Sequence, residues 1–182
     1  YGTSDITMNG NLENVINFVL SENQILKGNF NLTSNYLNVN EFIPTITYET
    51  DDETEKTEVS GVIEIPTNLN VSIQTNAAKT KYDDVTIENL RGNILIKNGT
   101  LQLSNGTLDI IGATAKMDAF YKNEGTQKAY FDYKINASEF DIKRAYNEIK
   151  MFREIVTAAE SAEGIVGLNY SIKGVLNNQM EP

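Results

Sequence analysis

The sequence predicts a mainly β domain, an antiparallel strand meander whose sheet must curl or be covered, with one C-terminal amphipathic helix. Three observations carry this. Apolar and polar residues alternate through much of the chain: Leu69, Val71 and Ile73 with Asn70, Ser72 and Gln74, and Ala129, Phe131, Tyr133 and Ile135 with Tyr130, Asp132, Lys134 and Asn136. A period of two marks strands with one face buried. Asn98-Gly99 separates Ile94 and Ile96 from Leu101 and Leu103, and Asn-Gly suits a tight hairpin because both turn residues accept positive φ. From Asp141 to Glu163 the spacing changes to three and four, through Ile142, Ala145, Tyr146, Ile149, Phe152, Ile155, Val156 and Ala159, the stripe of an amphipathic helix.

In chain order, residues 1–48 read as N-terminal strands, 49–60 as an acidic loop, 61–140 as a strand meander, 141–163 as the helix and 164–177 as a closing strand, all in a single domain. The apolar run Val15, Ile16, Phe18, Val19 and Leu20 suits a strand or one pair of helical turns, the strand being the preferred reading. Between Glu49 and Glu58 there is almost no apolar content, which suits a solvated loop; the Asp-x-Asp-x-Asp-Gly framework of a calcium loop is absent. Gly61, Val62, Ile63 and Ile65 open the meander as a strand. Asp83-Asp84 is a turn, whereas Asn105-Gly106 is either a reversal or a bulge within one long strand. Ser138 or Asp141 caps the helix start and Gly164 ends it.

At 182 residues and 40% hydrophobic content, the chain buries enough surface to fold without metal or disulfide staples. It has no His and no Cys, which excludes Ser-His-Asp and Cys-His nucleophiles, thiol redox and zinc bound by imidazole or thiolate. No nucleotide-binding glycine loop is present, and no pair of carboxylates is spaced for acid–base work. The expectation is therefore no enzyme activity, no cofactor and no metal. A net charge of −10 and a pI near 4.5 oppose a nucleic-acid backbone and an anionic membrane surface alike. The opening Tyr1-Gly2-Thr3-Ser4, with neither initiator Met nor signal peptide, reads as the start of a fragment.

The run from Pro66 through Asn177 resembles the C-terminal region of the AsmA-like family of Gram-negative envelope proteins, in its Bacteroidetes branch. The resemblance is carried by the order of features: Ile65-Pro66; Lys81-Tyr82-Asp83-Asp84-Val85 followed by Leu90-Arg91-Gly92; Ile96-Lys97-Asn98-Gly99-Thr100-Leu101; Ile110-Ile111-Gly112-Ala113; Glu139-Phe140-Asp141-Ile142; and Leu168-Asn169-Tyr170-Ser171-Ile172-Lys173-Gly174. It implies a curved sheet of taco or half-barrel type within a longer periplasmic protein anchored to the inner membrane by an N-terminal helix. Related members, the TamB-like bridge proteins among them, are associated with outer-membrane assembly and with conducting phospholipid along an apolar trough. The family brings no catalytic motif.

The expected partners are phospholipid and the rest of the protein's own longer chain. The expected lipid-facing residues are Leu69, Val71, Ile73, Ile94, Ile96, Leu101, Leu103, Leu108 and Ile110, with Ile149, Phe152 and Val156 packing the helix against the sheet. The competing expectation is an ordinary core made of these same residues. A rival function is a surface or adhesin-like β module that binds protein or glycan through exposed Tyr36, Tyr121 and Tyr130.

Overall fold

A computed structural model describes residues 2–21, 24–42, 45–47, 58–60, 62–156 and 160–177. In chain order the elements are β1 (Thr7–Glu13), α1 (Val15–Leu20), β2 (Leu26–Asn38), a 3₁₀ turn (Val39–Phe42), β3 (Thr45–Thr47), β4 (Glu58–Ser60), β5 (Leu69–Tyr82), β6 (Val85–Lys97), β7 (Thr100–Ile110), β8 (Ala113–Glu124), β9 (Lys128–Asp141), α2 (Ile142–Glu148), α3 (Lys150–Ile155) and β10 (Ile165–Leu176). Eight strands form one open sheet in the order β1-β2-β5-β6-β7-β8-β9-β10, and β3 and β4 pair separately. All neighbours in the large sheet are antiparallel except β2 and β5, which run parallel from Leu26↔Leu69 to Asn38↔Lys81.

The turns follow local chemistry. Asn98 and Gly99 take φ of 52° and 71° between β6 and β7, the twist a two-residue hairpin needs. A Cβ on Gly99 would also come within 3.2 Å of Thr67. Asp83, at φ 52°, turns β5 into β6. Asn105-Gly106 is not a reversal but a bulge, at which β7 shifts register against β8 between Leu103 and Gly106. Asn89 and Glu139 form equivalent irregularities in β6 and β9, each with φ between 52° and 60°. Such bulges bend the strand and increase its twist, and here they curl the sheet.

Three readings of the sequence change. Residues 15–20 are helical, forming the connection between β1 and β2, because pairing of those strands ends at Glu13↔Lys27 and leaves the run no partner to extend against. The single helix over 141–163 is instead two short helices broken at Ile149, whose extended backbone (φ −116°, ψ 106°) separates α2 from α3. Asp141 is the start cap, its side chain accepting the Arg144 N–H at 2.9 Å. Residues 62–66 are not a strand but a strap lying over the sheet. The acidic segment 49–57 lies outside the described residues, while Glu58–Ser60 belongs to β4.

Candidate functional site

The registers place the nine lining candidates on one face of the sheet. Val71, Ile96, Leu101, Tyr121 and Phe131 form one row across five strands; Phe30, Ile73, Ile94, Leu103, Ala119, Tyr133 and Ile172 form the next. Leu69 precedes the first row on β5. Beyond the bulges, Leu108 stands beside Ala115 and Ile110 beside Ala113. Glycine fits this face to its aromatics: a Cβ on Gly174 would meet the Phe131 ring at 3.0 Å.

Both ends of the face are covered. At one end α2 and α3 pack Ala145 and Ile149 over Leu108, Ala113, Ala115, Ala137 and Phe140, and Phe152 meets Phe140 edge-to-face at 5.6 Å. The helices are tied across to the β5–β6 turn, where the Asp84 carboxylate accepts the Lys150 N–H at 3.1 Å. Ile149 is buried and Phe152 half-buried, while Val156, beyond the end of α3, is 36% exposed. Val156, expected to pack the helix on the sheet, is therefore outside this packed cluster, one residue past the end of α3.

The opposite end is covered by the strap, whose Val62 and Ile65 bury against Tyr121, Ala129, Ile96 and Leu101. No backbone ladder holds it. The Ile63 N–H donates to the Tyr121 hydroxyl at 3.0 Å, the same hydroxyl donates to the Ile63 carbonyl at 3.1 Å, and the Ile65 N–H donates to Asn123 Oδ1 at 2.8 Å. Two inward-facing polar side chains of β8 thus satisfy the strap backbone as a neighbouring strand would. Burial raises the Tyr121 pKa above the usual phenol value, partly offset by its bond to Ile63, so the hydroxyl stays protonated and able to donate. The strap was missed from sequence, since its alternation is that of a strand; the signal against one is Pro66, which can donate to no ladder.

Between the covers lies an open middle. Phe30, Leu32, Ile73, Ile94 and Leu103 are half-buried and belong to neither packed cluster. Phe131 and Tyr133 stack there with ring centroids 5.3 Å apart, and burial, then the neighbouring Tyr82, raises the Tyr133 phenol pKa. The middle offers half-buried apolar surface and the Tyr133 phenol.

The reverse face is polar. A shallow cavity of about 470 Å³ runs across β2, β5 and β6 between Asn31 and Thr33, Gln74 and Asn76, and Arg91 and Asn93. Arg91 is the one titratable group in its lining, so no acid–base pair converges there. Of the tyrosines expected in an exposed patch, Tyr121 is buried at 8% exposure on the apolar face, and Tyr36 and Tyr130 are half-buried. Among the described residues, no group of three or more His, Cys, Asp or Glu side chains is placed to hold a metal ion, and no helix is long and apolar enough to cross a membrane. Comparison with protein families, with curated proteins and with solved structures finds no match.

Proposed function

We propose that this domain is a non-enzymatic periplasmic segment of an AsmA-like protein of outer-membrane or envelope assembly, and that it holds phospholipid acyl chains on the middle of its apolar face. The supporting observation is the half-exposed row Phe30, Ile73, Ile94 and Leu103, left open between two covered ends of a curled sheet. Each methylene that leaves water for this row gains about 0.8 kcal/mol, so binding needs no bond chemistry. In this reading the domain acts with the rest of its longer chain, tethered to the inner membrane by an N-terminal anchor. The alternative, a module binding protein or glycan, draws on the amide-lined cavity of the polar face and would carry no phospholipid.

The test is native mass spectrometry for co-purifying phospholipid, followed by photo-crosslinking with an acyl-chain probe. Ile94 is the informative position, because Ile96 lies under the strap and a charge there would disturb packing instead. Ile94→Asp, shown folded by circular dichroism and melting, should lose crosslinking; Leu95→Asp, on the opposite face, should keep it. A folded Ile94→Asp protein that crosslinks like the wild type would refute the acyl-chain reading.

A further inference from the structure

We propose that the end of the sheet carrying α1 docks on an anionic lipid surface and inserts the apolar side chains of that helix. Ile16, Val19 and Leu20 are 73%, 73% and 77% exposed, and α1 has no buried residue. Three large aliphatic side chains together on one turn of helix, all in water, are unlike the singly scattered exposed apolar residues of an ordinary surface. The start of the helix is tied to the sheet by the Asn14 side chain, which donates to the Ile25 carbonyl at 3.1 Å, while that of Asn17 donates to Asn14 Oδ1 at 2.7 Å. The exposed side chains are thus presented at a tip between β1 and β2.

Area and charge identify the occupant. A stable dimer buries about 1,200–2,000 Å² in total, and one helix of six residues presents far too little surface for that. Interfacial insertion into a bilayer needs only a few apolar side chains with cations beside them. The cations are present. The outermost polar-face row at this end runs Lys27, Asn70, Lys97, Thr100, Lys122 and Tyr130 through consecutive strand registers, so three lysines stand in one line across the sheet. Neither Lys97 nor Lys122 forms an ion pair among the described residues. Of the described carboxylates at this end, Glu13 faces Lys27 across the β1–β2 pair, Glu124 is held by Lys128 at 3.1 Å and also feels the charge of Lys122, and Glu64 stands exposed on the strap. The far end mixes both signs, with Asp83 and Asp84 at the β5–β6 turn and Glu139 and Asp141 at the end of β9 beside Lys79, Lys81, Lys143 and Arg144. Among the described residues, the lysine row is what an anionic surface would attract at this end.

The inference uses none of the residues that define the open middle of the apolar face, so each reading can fail separately. Residues 1–182 are mixed with vesicles of phosphatidylglycerol or of phosphatidylcholine and floated on a density gradient, with melting curves recorded for every variant. The wild type should float with the phosphatidylglycerol vesicles and be released as salt is raised. Ile16→Asp combined with Val19→Asp should abolish flotation, and these positions are exposed enough for the fold to survive. Lys97→Ala combined with Lys122→Ala should weaken binding about tenfold or more, and Ile94→Asp should float like the wild type. Absence of flotation, equal flotation with phosphatidylcholine, or wild-type behaviour of the Ile16/Val19 variant would overturn the proposal. So would a dimer on size-exclusion chromatography that this variant dissociates, since α1 would then face a second copy.

Discussion

Thr80 shows how finely single side chains can be judged on this sheet. It is 1% exposed, and its hydroxyl has no hydrogen-bond partner among the described residues, so a polar group is held out of water without return. Thr80→Val should raise stability by about 1 kcal/mol and the thermal midpoint by about 2–4 °C; a lower midpoint would show that the hydroxyl is bonded after all. Two carboxylates act in the opposite sense. Asp5 accepts from the Tyr36 N–H and from the Asn35 and Ser34 side chains, which lowers its pKa from 3.8 to about 2. Glu41 accepts from Thr3 and Ser4, which lowers its pKa from 4.5 to about 2. Folded-state values below the unfolded ones mean that this stabilisation is complete above about pH 4.5 and is lost as pH falls toward 2. The protection factors of the Thr3 to Asp5 amides, corrected for intrinsic exchange at each pH, should therefore fall across that window while those of β7 hold. Sequence showed that Ile73, Ile94 and Leu103 share a face, since period two settles that. It could not show which part of the face is open, because cover arrives from residues distant along the chain.

At the scale of elements, α2 and α3 were legible as one amphipathic stripe but not as two helices. The break at Ile149 is tertiary: its side chain is buried against the sheet, at 7% exposure, and the next N–H is taken by Asp84 from the β5–β6 turn. Ile149→Ala should cost about 2–5 kcal/mol, as for other truncations of buried aliphatic side chains. Urea denaturation checks this, and a neutral result would mean that the helices do not hold this end of the sheet closed. The strap and α1 were misread for a common reason. Val62 to Ile65 and Val15 to Leu20 both have strand-like composition, and composition does not record whether a ladder partner exists. For the strap the partner is a pair of side chains, Tyr121 and Asn123; for α1 there is none.

For the whole molecule, the mainly β class and the curl of the sheet were readable from alternation and from the Asn-Gly sites, but the order of strands was not. The parallel joint between β2 and β5 follows from a long connection, Val39 to Asn68, which also carries β3, β4 and the strap. That joint has a kinetic consequence. From β5 to β9 each strand pairs with its immediate successor, so these contacts close over short loops, and β1 with β2 is likewise a local hairpin. Joining the two sets requires closing the long connection, which is slower and comes later. The molecule should therefore behave as two cooperative folding units, the β1–β2 leaf and the remaining meander. Native-state hydrogen exchange should find amides of β1 and β2 opening at lower free energy than those of β6 to β8, whereas a single uniform value would show one unit. Because Phe30 and Leu32 are carried by the leaf, its transient detachment would take one end off the half-buried apolar row and bare the β5 edge beside Ile73, which on the proposed acyl-chain reading is where a long guest would slide in from the side.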